Sequence, residues 1–291
     1  MKPLFGVFPV PEAERQDVVV EQVLLADRLG LDLVGIQDHP YQRRHLDAWT
    51  LISYLAGRTE HVRFFPDVAN LPLRHPGVLA KAAASLDRLS GGRVELGLGA
   101  GAFWEAIGAW GGPVRTGPQS VDALEEAIGI IRRVWAGERG IDADGEHYRM
   151  HGAHGGPTPA HEIGIWLGAY GPRMVRIVGR LADGWVPSLP RLPLEEVPGR
   201  QDAIDAAARK AGRDPARIRR VANLNVAISD GPVDGWLRGP PGHWAEELVK
   251  LGRDLRFDGF VAWFDHEDQL GQTERFATEV VTVVREALAT G

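Results

Sequence analysis

His39 is the side chain in this sequence best suited to moving a proton. It stands between Asp38 and Pro40, at the end of the apolar run Leu31 to Gln37. Imidazole titrates near neutral pH, and a neighbouring carboxylate can orient or tune it. The ordinary reading of the same residues is a helix-capping aspartate beside a solvent-exposed histidine. A second chemistry, anion binding, is written in Gly97-Leu98-Gly99-Ala100-Gly101-Ala102, where a short apolar strand meets a glycine-spaced turn that opens into the helical stretch Phe103 to Trp110. The first N–H groups of a helix lack partners and share about half a positive charge, so such a junction suits a phosphate. Ala169-Tyr170-Gly171-Pro172-Arg173 repeats the arrangement. Pro172 donates nothing there, which leaves the Gly171, Arg173 and Met174 amides to hold an anion and the Arg173 guanidinium to add charge.

Other chemistries fit less well. The turn at Gly97 to Ala102 also satisfies the G-x-G-x-x-G/A dinucleotide pattern, with Asp122 at the spacing of a ribose-binding carboxylate. That fold needs Asp122 at the end of a strand, whereas Val121, Leu124, Ile128, Ile131 and Trp135 recur at helical spacing behind Pro118 and put Asp122 in the first turn of a helix. His151, His154 and His161 share a loop with only Glu162 as a nearby carboxylate, so no metal site is expected. Neither a G-x-S-x-G elbow nor a P-loop occurs. Of the tryptophans, Trp185 and Trp263 lie near strand ends, where a flat cofactor could be walled.

These residues need a scaffold that brings strand ends together. Apolar runs at 4–10, 31–37, 62–68, 93–98, 163–168, 184–187, 220–228 and 260–264 alternate with amphipathic helical stretches, and no shift of composition divides them. Eight such units predict a single-domain α/β fold, a (β/α)8 TIM barrel, with its site at the strand C-termini. Asp38-His39, Asp67 to Asn70, Gly99 to Phe103, Tyr170 to Arg173 and Trp263 to His266 then share one face. Two insertions interrupt the pattern: a glycine-rich loop at about 137–161, with a hairpin turn around Asp144-Gly145, and a loop at about 229–243 whose glycines suit a mobile lid. The closing helix, Leu270 to Ala289, is expected to bury Phe276, Val280, Val283, Val284 and Leu288.

The totals bound the function. A net charge of −6 over 291 residues, with no basic run, argues against nucleic acid as a partner. With no cysteine, disulfides, thiolate catalysis and thiolate-bound metals are excluded. Neither a signal-like N-terminus nor a long apolar run is present, so no membrane association and a cytoplasmic location are expected.

Taken together, the segments Gln37-Asp38-His39, Asn70-Leu71-Pro72-Leu73-Arg74-His75-Pro76, Asp87-Arg88-Leu89-Ser90-Gly91-Gly92-Arg93, Gly97 to Gly101 and Gly179-Arg180-Leu181-Ala182-Asp183-Gly184-Trp185 resemble the luciferase-like monooxygenase superfamily of flavin- and deazaflavin-dependent TIM barrels. The resemblance implies coenzyme F420, with FMN as the alternative. It also implies a cis peptide at Asp67-Val68 bulging against the cofactor ring, a ring site formed by Asp67, Val68, Ala69 and Asn70, and a phosphate and tail site formed by Gly99, Ala100, Gly101, Ala102, Tyr170, Gly171, Pro172, Arg173 and Met174. Relatives are often dimers, so a homodimer is expected. Relatives that oxidise sugars or secondary alcohols carry a glutamate at the position of Ala102. The substitution points to a small, fairly apolar substrate, with His39 and its neighbour Asp38 left as the proton-transfer group. An FMN-dependent monooxygenase and a non-catalytic flavin-binding barrel are the rival readings.

Overall fold

A computed structural model describes residues 1–289. The strands are β1 (Leu4–Val7), β2 (Leu33–Ile36), β3 (Arg63–Pro66), β4 (Ala69–Asn70), β5 (Leu96–Gly99), β6 (Ile141–Asp144), β7 (Arg149–Ala153), β8 (Ile165–Leu167), β9 (Gly184–Trp185), β10 (Arg219–Ile228), β11 (Arg238–Gly239) and β12 (Gly259–Phe264). The helices are α1 (Gln16–Arg28), α2 (Ala48–Ala56), α3 (Pro76–Ser90), α4 (Trp104–Ala109), α5 (Gly117–Trp135), α6 (Pro172–Leu181), α7 (Val197–Lys210), α8 (Pro241–Arg253), α9 (Gln269–Arg275) and α10 (Thr282–Ala289).

Parallel strands run round in the order β3-β2-β1-β12-β10-β9-β8-β5-β4. β3 and β4 are two halves of one barrel strand, divided at Asp67-Val68, whose peptide bond is cis. Counted together they complete the eightfold alternation read from the sequence. The cylinder closes where Phe64 bridges Val94, with Phe64 N donating to Arg93 O and Glu95 N donating to Phe64 O, each at 2.9 Å. Leu33, Phe65, Trp166, Val186, Val221 and Val261 fill its interior, while a larger apolar layer separates strands from helices. Strands buried on both faces explain the unbroken apolar runs in the sequence.

Local signals set the helix ends. α5 starts at a capping box, in which Thr116 accepts from the Gln119 amide and Gln119 answers the Thr116 N–H at 3.0 Å. α3 starts on Pro76, whose missing N–H costs nothing there. The closing helix departs from expectation. A π-helical turn over Phe276–Val281 inserts between α9 and α10, and the shift in register buries Val281 and turns Val283 outward, to 51% exposure.

Charged groups encircle the N-terminal ends of the strands. Asp32 pairs with Arg285 at 2.6 Å, Asp87 with His161 at 2.7 Å, Glu95 with Arg63 at 3.2 Å and Asp183 with Arg213 at 3.1 Å. Arg93 donates to the carbonyls of Ala56, Thr59 and Val62. The first insertion folds as the antiparallel β6-β7 hairpin, with the Glu126 carboxylate accepting from the amides of Glu146, His147 and Tyr148 at its turn. In the second, β11 adds to β10. Among the described residues no helix is long and apolar enough to cross a membrane.

Candidate active site

A cavity of about 430 Å³ opens at the C-terminal ends of the barrel strands, within the range of small-molecule sites. Asp38, His39, Asp67, Val68, Ala69, Asn70, Gly99, Ala100, Gly101, Ala102 and Tyr170 all line it, so both glycine junctions reach one chamber. Gly171, Pro172, Arg173 and Met174 stand outside its lining. Gly171 and Pro172 are exposed at the start of α6, and Met174 is buried in the outer core. The Arg173 guanidinium is not free for an anion, because Asp122 takes it at 2.5 Å and Glu125 at 3.3 Å.

His39 is half-buried at the end of β2, and its Nδ1 lies 2.7 Å from the Tyr41 hydroxyl. Burial lowers its pKa, and the nearby Asp38 charge only partly opposes this. The ring is therefore neutral at pH 7, as a proton acceptor should be. Asp38 itself is not the orienting partner that the sequence suggests. Its carboxylate, 2% exposed, accepts from Arg74 Nε at 2.7 Å, from Arg74 Nη2 at 2.8 Å and from the Asn70 amide at 3.0 Å. Arg74 also reaches Asp47 at 2.6 Å. Burial opposes the Arg74 charge, but the two carboxylates outweigh it and raise the guanidinium pKa. Asp38 is thus spent on fixing the strand ends and reaches His39 only through its field.

The glycine turn fits a closely approaching ligand. Gly101 has φ +111°, and a Cβ on it would stand 2.6 Å from Trp104 and 2.8 Å from Pro72, so backbone alone can occupy the position. The buried side-chain oxygen of Asn70 lacks a hydrogen-bond partner at a residue that lines the same chamber. These features suit a planar polar ring lying against Val68 with its tail toward the glycine turn. One wall is aromatic: the rings of His39, Tyr41 and Phe103 stand 5.4–5.9 Å apart, and Trp263, 44% exposed, packs on Phe8 at 6.1 Å. Trp185, by contrast, is wholly buried against Phe257 and walls nothing.

Residues 5–236 match the model of the family described as luciferase-like monooxygenase. The chain belongs to the luciferase-like monooxygenase family. Within 176 aligned residues it is 35% identical to an F420-dependent glucose-6-phosphate dehydrogenase of Intrasporangium calvum, an alignment covering 58% of this chain and 52% of that protein. It is 34% identical to a 5,10-methylenetetrahydromethanopterin reductase of Methanolobus tindarius, over 74% of this chain and 62% of that one. The chain therefore spans between half and two thirds of the length of these relatives. An F420-dependent secondary alcohol dehydrogenase, solved in complex with an F420-acetone adduct, superposes with a TM-score of 0.86 at 18% identity, covering 98% of this chain and 99% of the other.

Several segments that mark this luciferase-like chain lie away from the cavity. Asp87 and Arg93, together with Asp183, serve the charged ring at the strand N-termini. Sequence reasoning missed Tyr41, Arg191, Asn223 and Asn225, all in the cavity wall. Period-two alternation along β10 from the inward-facing Val221 would have placed both asparagines inside. The proposed lid does not cover the site: none of residues 229–243 lines the cavity, Arg238 touches its wall only through Asn225 at 3.4 Å, and Leu237 is buried in the outer core. Among the loop histidines, His161 is held by Asp87 and Glu95 and His154 Nδ1 accepts from the Gly140 amide at 3.4 Å.

Proposed function

We propose that this chain is an F420-dependent oxidoreductase that passes hydride between the deazaflavin and a small, fairly apolar organic substrate. The relatives named above, an F420-dependent glucose-6-phosphate dehydrogenase and a 5,10-methylenetetrahydromethanopterin reductase, support the cofactor class. Val68 would lie against the ring, and the turn from Gly99 to Ala102 together with the amides following Tyr170 would hold the phosphate and the acidic tail. Bound there, the deazaflavin supplies a two-electron hydride donor or acceptor at its C5. The remaining steps belong to this chain.

The observation that carries the reading is His39, the one imidazole lining the chamber among the described residues, with Nδ1 engaged by Tyr41 and Nε2 left for the substrate. As hydride leaves a carbinol carbon, the hydroxyl proton passes to His39. In the reverse direction the imidazolium returns it. Ala102 brings no acid to the opposite turn, and Phe103, Tyr41 and Trp263 favour an apolar substrate over a sugar phosphate.

Fluorescence titration of the apoprotein with F420 and FMN, each oxidised and reduced, tests the proposal. Tight binding of F420 with no response to FMN is expected. Tight FMN binding with no F420 response would overturn it in favour of a flavin monooxygenase.

A further inference from the structure

One carboxyl of the cavity takes no part in the proton transfer assigned to His39. Asp67 follows β3 and turns its side chain down into the barrel. Its Oδ1 accepts from Asn223 Nδ2 at 3.0 Å, while Oδ2 is buried with no partner. The notch around Oδ2 exists because Gly35 lacks a side chain: a Cβ there would stand 2.9 Å from that oxygen. The amide oxygen of Asn223 is likewise buried and unpartnered. A carboxylate and an amide joined by a single bond leave two acceptors without a hydrogen. One added proton satisfies both, because a protonated Oδ2 can donate to the Asn223 oxygen while the amide N–H donates to Oδ1.

Among the described residues no cation compensates Asp67. Asp38, from β2, is held by Arg74. His39, also from β2, is paired with Tyr41. Tyr170, beyond β8, has its hydroxyl on the Ser188 amide at 2.9 Å, and burial raises its own titration. Arg191, beyond β9, is exposed at the cavity mouth. β10 contributes Asn223, which does not titrate. Burial pushes the Asp67 carboxyl up to about 7, with the Asn223 bond drawing it partly back.

We propose that Asp67 is a carboxylic acid closed onto the Asn223 amide by two hydrogen bonds, and that this pair is the positioning element that ties the end of β3 to β10 beneath the cavity. The acid form keeps the floor uncharged. Ionisation removes one of the two bonds and leaves a naked charge under a site built for an anion-bearing cofactor, so affinity for such a cofactor falls as pH rises through about 7. Only this last consequence rests on the F420 reading.

Infrared spectra of the apoprotein, taken from below to above neutrality, test the pair directly. A protonated-carboxyl band that converts to carboxylate near neutral pH in the wild type and is missing in Asp67→Asn is expected. In F420 titrations the wild type should bind about tenfold more weakly at the alkaline end. Asp67→Asn, which keeps a partner for Asn223, should bind equally at both ends, and His39→Gln should keep the wild-type dependence. Absence of the band, or an unchanged pH dependence in Asp67→Asn, overturns the proposal. A band with no F420 binding at any pH leaves the acid–amide pair standing and sinks the cofactor reading instead. Should Asp67→Asn fail to fold, Asn223→Ser reads the same pair: loss of the amide must move the infrared midpoint, and an unmoved midpoint counts against it.

Discussion

The His39 Nδ1 atom and the Tyr41 hydroxyl oxygen stand 2.7 Å apart, two residues from one another in the chain, at the rim of a barrel whose other polar groups are mostly engaged in holding it together. On the proposed reaction this contact would leave Nε2 as the imidazole nitrogen that meets the substrate. His39→Ala should lower kcat by about a hundredfold to ten-thousandfold, the usual share of a general acid or base, with F420 affinity unchanged. Steady-state kinetics beside a cofactor titration check it, and an unaltered kcat would remove His39 from the mechanism.

The same pairing predicts a pH profile. Burial holds the His39 pKa below its ordinary 6.5, so the neutral ring that accepts a proton predominates at pH 7. In the direction of substrate oxidation kcat/KM should be level near neutrality and fall on acidification below pH 6.5. In His39→Ala that acid limb should vanish.

Arg74 neutralises a carboxylate that has almost no contact with water. Arg74→Met would leave Asp38 buried and uncompensated, a change that costs about 3–5 kcal/mol when a buried pair is broken from one side. Denaturant unfolding should show that loss. Arg74→Met with Asp38→Asn should recover much of it, because the stranded charge is then gone.

Gly101 has room for no side chain at φ +111°. Gly101→Ala should cost about 1–3 kcal/mol of backbone strain, and by displacing Trp104 or Pro72 should weaken F420 binding at least tenfold. Fluorescence titration gives the affinity, and wild-type binding would show that the turn does not approach the cofactor.

His161 tests the opposite end of the barrel. The Asp87 carboxylate, with help from Glu95, raises its pKa to about 9. The unfolded value is about 6.5, so the stabilisation is complete below that pH, declines above it and is gone once pH passes about 9. Allowing for its partial exposure, about 2 kcal/mol is at stake. Melting temperatures across that window should fall in the wild type and stay nearly flat in His161→Gln.

The barrel and the face bearing its cavity were legible because their signals are local. The barrel strands are mostly buried on both sides and read as apolar runs, and the glycine junctions follow their strands closely. Pairings between distant residues were not legible. Arg74 takes Asp38 from 36 positions away, and Asp122 takes Arg173 from 51, so the nearest neighbour in sequence was a poor guide to the partner in space. Val283 was misplaced for a different reason: one extra residue in a turn rotates the following helix by about 100° without altering composition.

The ring of ion pairs around the strand N-termini gives the molecule a stiff foot and a separately editable rim. Arg93 and Asp183 tie the barrel together at one end, and on the proposed function Phe103 and Ala102 would meet the substrate at the other. Changes of diet at the rim can therefore accumulate without loosening the foundation, and a lineage built on this plan can trade one substrate for another while its scaffold stays as it was.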